Sequence, residues 1–543
     1  MKRRNYLAIL GAGLISATFV MGMAGCGDGQ KERVEMENGK YVPELNITMA
    51  RYSSPAMEEA LAKTENAETV EYNRFNDLFK EKLGINITYD WIVDSSQYSK
   101  KADMTITSGN IPDFFAVTAS QAKQLYEADL IYDMTEIYEE YASDVAKEYM
   151  EIEAESFDAV TFDGKLMAIP STWGSYDSAQ FLWIRQDWLD NLGLEAPKTM
   201  ADVEAIAYAF TNEDPDKNGE NDTYGLGVNK DFLSSRGSIT GFLNGYGAYM
   251  DFWLENDQGE LVFSDIQPEM KYALNKLHQF YVDGVISPEF GTTGDSQLQT
   301  SITAGRIGMF YGQHWMSLDL QSCLDLDPNA NWKVFNIVGT TEGKLPKQQL
   351  FSGTNNFWVA SKKTGNPEAI MKMIDLIWNI QGKEEYVYYN SSEDAPQAWW
   401  FNPVQVQNPL VNIQQWENVQ SLLAGEEGNE ADPAWVQCKK YLDGDNSWWN
   451  MYAIYGAEDC SMVRLDKCIQ ENSFIKSKFS GAATSAMVKY SATLSSTKAT
   501  AITEMIIEGV DYNNNFDQFV NNWKNLGGDL ITQEVNDWYK ASK

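Results

Sequence analysis

The chain has 543 residues, 43% of them hydrophobic, and carries 78 acidic against 42 basic residues for a net charge of −36. That length allows two or three domains and a sizeable core. So acidic a chain argues against nucleic acid or anionic surfaces as partners, because phosphate binding needs clustered Lys and Arg.

The chain opens on Lys2-Arg3-Arg4, and an uncharged apolar stretch follows over 6–23. A basic start before an apolar run of that length is the layout of a secretory signal. It ends in Met23-Ala24-Gly25-Cys26. Small residues directly before a cysteine resemble a bacterial lipobox, with Met23 where leucine is usual. On that reading 1–25 is a signal peptide and Cys26 is the lipidated first residue of the mature chain. A plain signal peptide with an incidental cysteine, or an uncleaved anchor, is the alternative. Residues 26–43 are polar, charged and Gly-containing, which suits a flexible tether.

Alternation and helical spacing then predict a parallel α/β unit. A strand over 45–50 is followed by a helix on Phe75, Leu78, Phe79 and Leu83, stopped by Gly84. Ile85, Ile87, Tyr89 and Trp91 alternate as a strand, and 112–117 reads as a third. Loops after such strands form ligand crevices, which singles out Arg51, with Asp113 as a second polar candidate. The acidic, tyrosine-rich 124–157 reads as helical.

Residues 164–193 read as a handover between units. A short strand over 165–169 stops at Pro170, and a polar loop carries Trp173 and Tyr176. A helix is then expected with Ile184, Trp188, Leu189 and Leu192 on one face and Gly193 as its C′ residue. Thr199 and Asp202 predict a capping box. Further helices are expected over 268–284 and 296–305. Strands are expected over 306–312, leading into His314 and Trp315, and over 332–339. Residues 340–350 are expected to cross between units, before a strand over 355–361 and a helix from Asn366-Pro367-Glu368. The Trp-rich 381–450 segment has no clear pattern. Helices around 497–508, 515–526 and 532–541 close the chain.

The run "DGKLMAIP" followed by "LWIRQDWLDNLGLEAPKTMADVEAIAYAF" resembles the midsection of extracellular solute-binding proteins, family 1. "KEKLGINI" (80–87), "SGNIPDFF" (108–115), "DPDKNGENDTYGL" (214–226), "ITAGRIGMFYG" (302–312), "NPEAIMKMIDLIW" (366–378) and "FDQFVNNWKNLGGDLITQEVNDWY" (516–539) extend the likeness in order and spacing. The resemblance implies an α/β, two-lobe periplasmic-binding-protein-like fold (type 2), with an interlobe ligand cleft and hinge crossings. Lobe 1 is then 44–165 with 350–395, and lobe 2 is 166–340 with 396–543. It further implies a lipoprotein on the extracytoplasmic face of the cell membrane, capturing a sugar or oligosaccharide and delivering it to an ABC permease. A secreted glycoside hydrolase, which needs two facing carboxylates, or a carbohydrate sensor is the alternative.

Rings stack on the apolar faces of sugars, and the resemblance places Trp173, Tyr176 and Trp315 at the cleft; core or rim packing is the competing reading. Arg185 is open to either a structural or a ligand role. Asp214, Asp216, Asn218 and Asp222, with Gly219 at position 6 and the Glu220 carbonyl at position 7, match the turn of an EF-hand calcium loop. Gly225 replaces the bidentate Glu at position 12, and a solvated acidic turn is the alternative. Some relatives of the family carry calcium at such a loop, in a structural role. Cys323, Cys438, Cys460 and Cys468 lack zinc-site spacing; Cys460 and Cys468 either pair or stay free. Only His278 and His314 could serve a catalytic triad, and neither lies in a nucleophile motif.

Overall fold

A computed structural model describes residues 30–543 except 355, 382, 393, 396 and 427. Cys26 and the signal segment lie outside the described residues. Two separate sheets carry the fold. The first has five strands in the order Ile85–Asp94, Leu45–Ser53, Phe114–Val117, Phe357–Ala360, Ile169–Pro170. Its first three strands are parallel, and Phe357–Ala360 runs antiparallel to both its neighbours. The second has four strands in the order Tyr224–Gly227, Ile307–Gly312, Phe181–Arg185, Trp332–Asn336.

Each sheet is buried by helices whose ends follow local chemistry. Helix Arg74–Leu83 starts at an Asn73 cap reciprocated by Asn76 and ends at Gly84, with φ +71°. A side chain there would also meet the Tyr41 carbonyl at 2.7 Å, so glycine is required twice over. Thr199 and Asp202 form the expected capping box on helix Met200–Asn212. The 124–157 region is helical in four pieces, beginning with Ala119–Glu127.

Several expected boundaries shift. Ile184 lies in a strand, and the helix is Gln186–Leu192, because the apolar 181–184 run is buried on both faces. The strand expected over 165–169 and stopped by Pro170 is two pieces: Lys165–Leu166 pairs with Thr161–Phe162, and Ile169–Pro170 is an edge strand of the first sheet, where a missing N–H is tolerated. Ala395, Ala398, Phe401, Val404 and Val406 join the first core, although 396–406 reads as lobe 2 in the sequence. Residues 340–350 do not cross, since Gln348–Gln349 pairs with Phe474–Ile475 beside the second sheet. Nor is all of 26–43 a free tether. The Lys31 backbone N donates to the Lys363 carbonyl at 2.7 Å, Val34 and Asn366 exchange two hydrogen bonds, and Tyr41 is buried. The last third is mostly helical, including Ser485–Glu508, which starts a dozen residues before its apolar pattern does.

Cys460 and Cys468 are free, as are Cys323 and Cys438. Cys460 is the N-cap of helix Ser461–Gln470 and Cys468 lies within it, and eight helical residues span about 12 Å, too far for a disulfide. Among the described residues no helix is long and apolar enough to cross a membrane.

Candidate functional site

Among the described residues the chain passes between the sheets three times, through 171–180, 351–356 and 407–410. Hydrogen bonds tie the first two passages side by side. Ser171 N donates to the Asn356 carbonyl at 2.9 Å, and Trp173 N to the Gly353 carbonyl at 2.7 Å. The third passage joins them through Gln407 N to the Thr172 carbonyl at 2.9 Å and Thr172 Oγ1 to the Gln407 carbonyl at 3.2 Å. A Cβ on Gly353 would lie 2.0 Å from the Trp173 carbonyl, so this approach needs glycine.

Trp173 leaves this ribbon toward the first lobe. It is half-buried and edge-on to Trp399, with ring centroids 5.7 Å apart. With Phe75, Tyr386, Asn402, Gln405 and Gln407 the two rings line a depression. Tyr176 turns to the second lobe and packs on Phe474 at 5.6 Å. Trp315, three residues beyond strand Ile307–Gly312, is half-buried against the core of the second lobe's helical layer. The three rings thus lie on or beside the crossings but face different neighbours, so they do not form one sandwich.

The polar candidates are committed elsewhere. Arg51 is buried and donates to the carbonyls of Val70, Trp400 and Phe401 at 3.3, 3.0 and 2.8 Å, which anchors the 395–406 segment. Asp113 is buried at the start of its strand, away from the crossings, and accepts from Thr48 N at 2.7 Å and Lys31 Nζ at 2.5 Å. Arg185 pairs with Asp187 at 2.8 and 2.6 Å and lies over Trp188, a structural role.

Sequence reading missed the polar cluster at the ribbon. Asp177 accepts from Asn412 Nδ2 at 2.8 Å and lies 4.0 Å from His314 Nε2. Its side chain is 26% exposed. Burial, with Glu153 nearby, pushes its carboxyl up to about 7. His314 is buried with Nδ1 unpartnered, and burial lowers its pKa to about 4, so it is neutral. Glu153, also buried, accepts from Ser175 N at 2.9 Å. Only the placement of His314 after an apolar strand hinted at this in the sequence.

The 214–222 loop is wound by positive φ at Asp214, Lys217 and Gly219. Asp214 accepts from Asn218 N and Gly219 N, both at 3.1 Å. Asn218 Nδ2 bridges Asp216 and Asp222 at 3.0 and 3.3 Å. Burial, and then the neighbouring Asp214 and Asp222, raise the Asp216 carboxyl above its usual range. The donors are all oxygens, as calcium requires. They are turned onto amides here, and among the described residues no three acidic, His or Cys groups converge at metal-ligand spacing.

A polar groove between helices Ser485–Glu508 and Asn515–Trp523 touches none of the crossings and holds none of these groups.

The family profile described as "Bacterial extracellular solute-binding protein" matches residues 74–385. The chain belongs to this family. As a bacterial extracellular solute-binding protein it is 25% identical over 332 residues to the polygalacturonan/rhamnogalacturonan-binding protein YtcQ of Bacillus subtilis (strain 168). The match covers 58% of this chain and 63% of that one. Among solved structures, alginate-binding protein AlgQ2 without calcium ion superposes with a TM-score of 0.63 at 14% identity, covering 94% of this chain and 100% of AlgQ2. The S. pneumoniae ABC-transporter substrate-binding protein FusA, as an EF-hand mutant with fructo-nystose, gives 0.60 at 15%, covering 92% and 100%. These likenesses establish the two-lobe solute-binding fold, and the named relatives are binding proteins.

Proposed function

We propose that this chain captures an oligosaccharide between its lobes and hands it to an ABC permease, without turning it over. The observation that carries the reading is the three-stranded crossing ribbon. It presents Trp173 beside Trp399 and a row of amides, rings for sugar faces and amides for hydroxyls. The names of YtcQ, AlgQ2 and FusA, each tied to a carbohydrate, support it. Tyr176 and Trp315 serve the second lobe's side of the cleft, while Arg51 and Asp113 hold the first lobe's frame. Calorimetry against an oligosaccharide panel tests this. Trp173→Ala should weaken binding by about 1–3 kcal/mol, roughly tenfold to hundredfold, by analogy with bases stacked on aromatic rings. The protein should release no reducing ends from its ligand. Sugar release would favour a glycoside hydrolase, and unchanged affinity in Trp173→Ala would remove that ring from the site.

The Lys2-Arg3-Arg4 start and the Cys26 motif support a lipid anchor on the extracytoplasmic face of the cell membrane. Cys26→Ser should move the protein from the membrane fraction to the soluble one; retention at the membrane refutes the anchor. The 214–222 loop is read as a structural calcium site. Asp214, Asp216, Asn218, Asp222 and the Glu220 carbonyl would be its ligands, and the ion would cross-link the turn.

A further inference from the structure

The first lobe holds the start of the described chain in a built groove. Asn366 is buried, donates from Nδ2 to the Val34 carbonyl at 2.8 Å and accepts from Val34 N at 2.9 Å. One side chain thus makes the exchange that a neighbouring strand would make. Lys31 N donates to the Lys363 carbonyl at 2.7 Å. A Cβ on Gly365 would lie 2.4 Å from the Glu32 carbonyl, so the close approach needs glycine.

Charge holds the same segment. Asp113 and Glu368 are buried carboxylates. Lys31 meets Asp113 at 2.5 Å, and Arg33 meets Glu368 at 3.4 Å. The Tyr41 hydroxyl and Asn366 Nδ2 also donate to Glu368, at 3.1 and 2.9 Å. Pulling the segment out would take these cations from two buried charges, which is strongly unfavourable.

The groove lies at the end of the first sheet away from the crossings. Val117, Phe357 and Pro170 form the row of the sheet beside the ribbon, and Phe114 with Ala360 the row at the opposite end. Asp113 precedes Phe114, and the Ser361–Glu368 loop follows Ala360.

Given the lipid anchor proposed above, we infer that this groove sets the stance of the molecule: the base of the first lobe faces the bilayer and the second lobe stands beyond it. Five residue steps separate Cys26 from Lys31, which reach at most about 18 Å when fully extended, whereas a tether free as far as Pro43 would reach about 60 Å. Strand Ile85–Asp94 alone spans about 33 Å at the usual rise per residue. The short leash therefore cannot bring the crossing end of the first lobe down to the lipid unless the segment leaves its groove.

The test uses the lipidated mature chain in phosphatidylcholine vesicles that carry an acceptor-labelled lipid. Cys323, Cys438, Cys460 and Cys468 are buried, so a donor dye can be placed through Asn110→Cys at the base or through Asp257→Cys in an exposed turn of the second lobe. Energy transfer should be stronger from the Asn110 site than from the Asp257 site. A flexible Gly-Ser insert between Gln30 and Lys31 leaves every groove contact in place; it should lower transfer from the Asn110 site and shrink the difference. Trypsin reads the groove directly, because Lys31 and Arg33 are held in it. Asn366→Ala, which loses both strand-like bonds, should speed tryptic release from the vesicles by about tenfold or more. Equal transfer from the two sites, transfer unmoved by the insert, or release as fast from the wild type as from Asn366→Ala overturns the inference and leaves the anchor standing. The insert does not disturb the lobe, so the transfer readings decide even where Asn366→Ala fails to fold. If Cys26 carries no lipid and the protein stays off the vesicles, the anchor reading falls and the inference with it.

Discussion

Asp177 joins three parts of the molecule: the first crossing that carries it, the strand end that brings His314, and the helix Val411–Leu423 that brings Asn412. Glu153, His314 and the Tyr455 hydroxyl, which donates to Asn412 at 2.8 Å, are the titratable groups around it. A carboxyl raised to about 7 keeps its proton in the folded state while the unfolded chain has already lost it. Stability therefore falls as pH rises from about 4 to about 7, and the loss is complete above that window. Asp177→Asn keeps an acceptor for Asn412 and cannot ionise. It should be more stable than the wild type at pH 8, by about 2 kcal/mol after allowance for partial exposure, with the gap closing by pH 4.5. His314, neutral with its pKa lowered to about 4, destabilises both proteins equally as pH falls below its ordinary 6.5, so it cancels in the comparison. Melting curves at the two pH values decide this, and a gap independent of pH would contradict the assignment.

At the scale of elements, the 214–222 turn yields a prediction of its own. Four carboxylates fall within one nine-residue turn and repel each other, and amides alone separate Asp214, Asp216 and Asp222 here. Calcium should raise the melting temperature relative to chelator, and Asp216→Ala should erase the difference; identical wild-type melts with and without calcium would mean a solvated turn. This motif was legible because its chemistry is contiguous. So were the elements with local signals, such as the alternating 85–91 strand, Gly84 and the Thr199–Asp202 box. Ile184 was misread because a strand buried on both faces shows no alternation, so its apolar run merges into the following helix pattern. The 381–450 segment hid its role for another reason. Its residues up to Val406 pack on the first lobe and those from Val411 on the second, so no single amphipathic pattern spans it. Asp177 and His314 could not be paired in advance, since strand pairing across the second sheet brings them together and no local spacing encodes it.

Among the described residues the two lobes are joined by the ribbon and by contacts beside it, including helix Ser485–Glu508 against helix Ala119–Glu127 and Ala482 on the first lobe's core. Lys476 of the second lobe pairs with Glu155 of the first, and Ser480 Oγ donates to Asp158 at 3.2 Å. Exposed contacts of this kind are individually weak. The ribbon's own hydrogen bonds bind the three crossings to one another, so bending is expected to concentrate at its two ends, where each crossing enters a sheet. Rings and amides of the first lobe and the Asp177–His314 cluster of the second then approach as the lobes close. A ligand touching both sides favours the closed state by its differential contacts alone. Small-angle scattering should therefore show a smaller radius of gyration at saturating oligosaccharide than without it. At a hundredfold excess over Kd the same ligand should add about 2.7 kcal/mol to stability. Gly353→Val must push the first two crossings apart, because a Cβ at that position already lies 2.0 Å from the Trp173 carbonyl. That variant should lose ligand-induced compaction, and its lobes should keep their separate cores as judged by circular dichroism. Compaction equal to the wild type's in Gly353→Val would mean that the lobes close about some axis other than this ribbon.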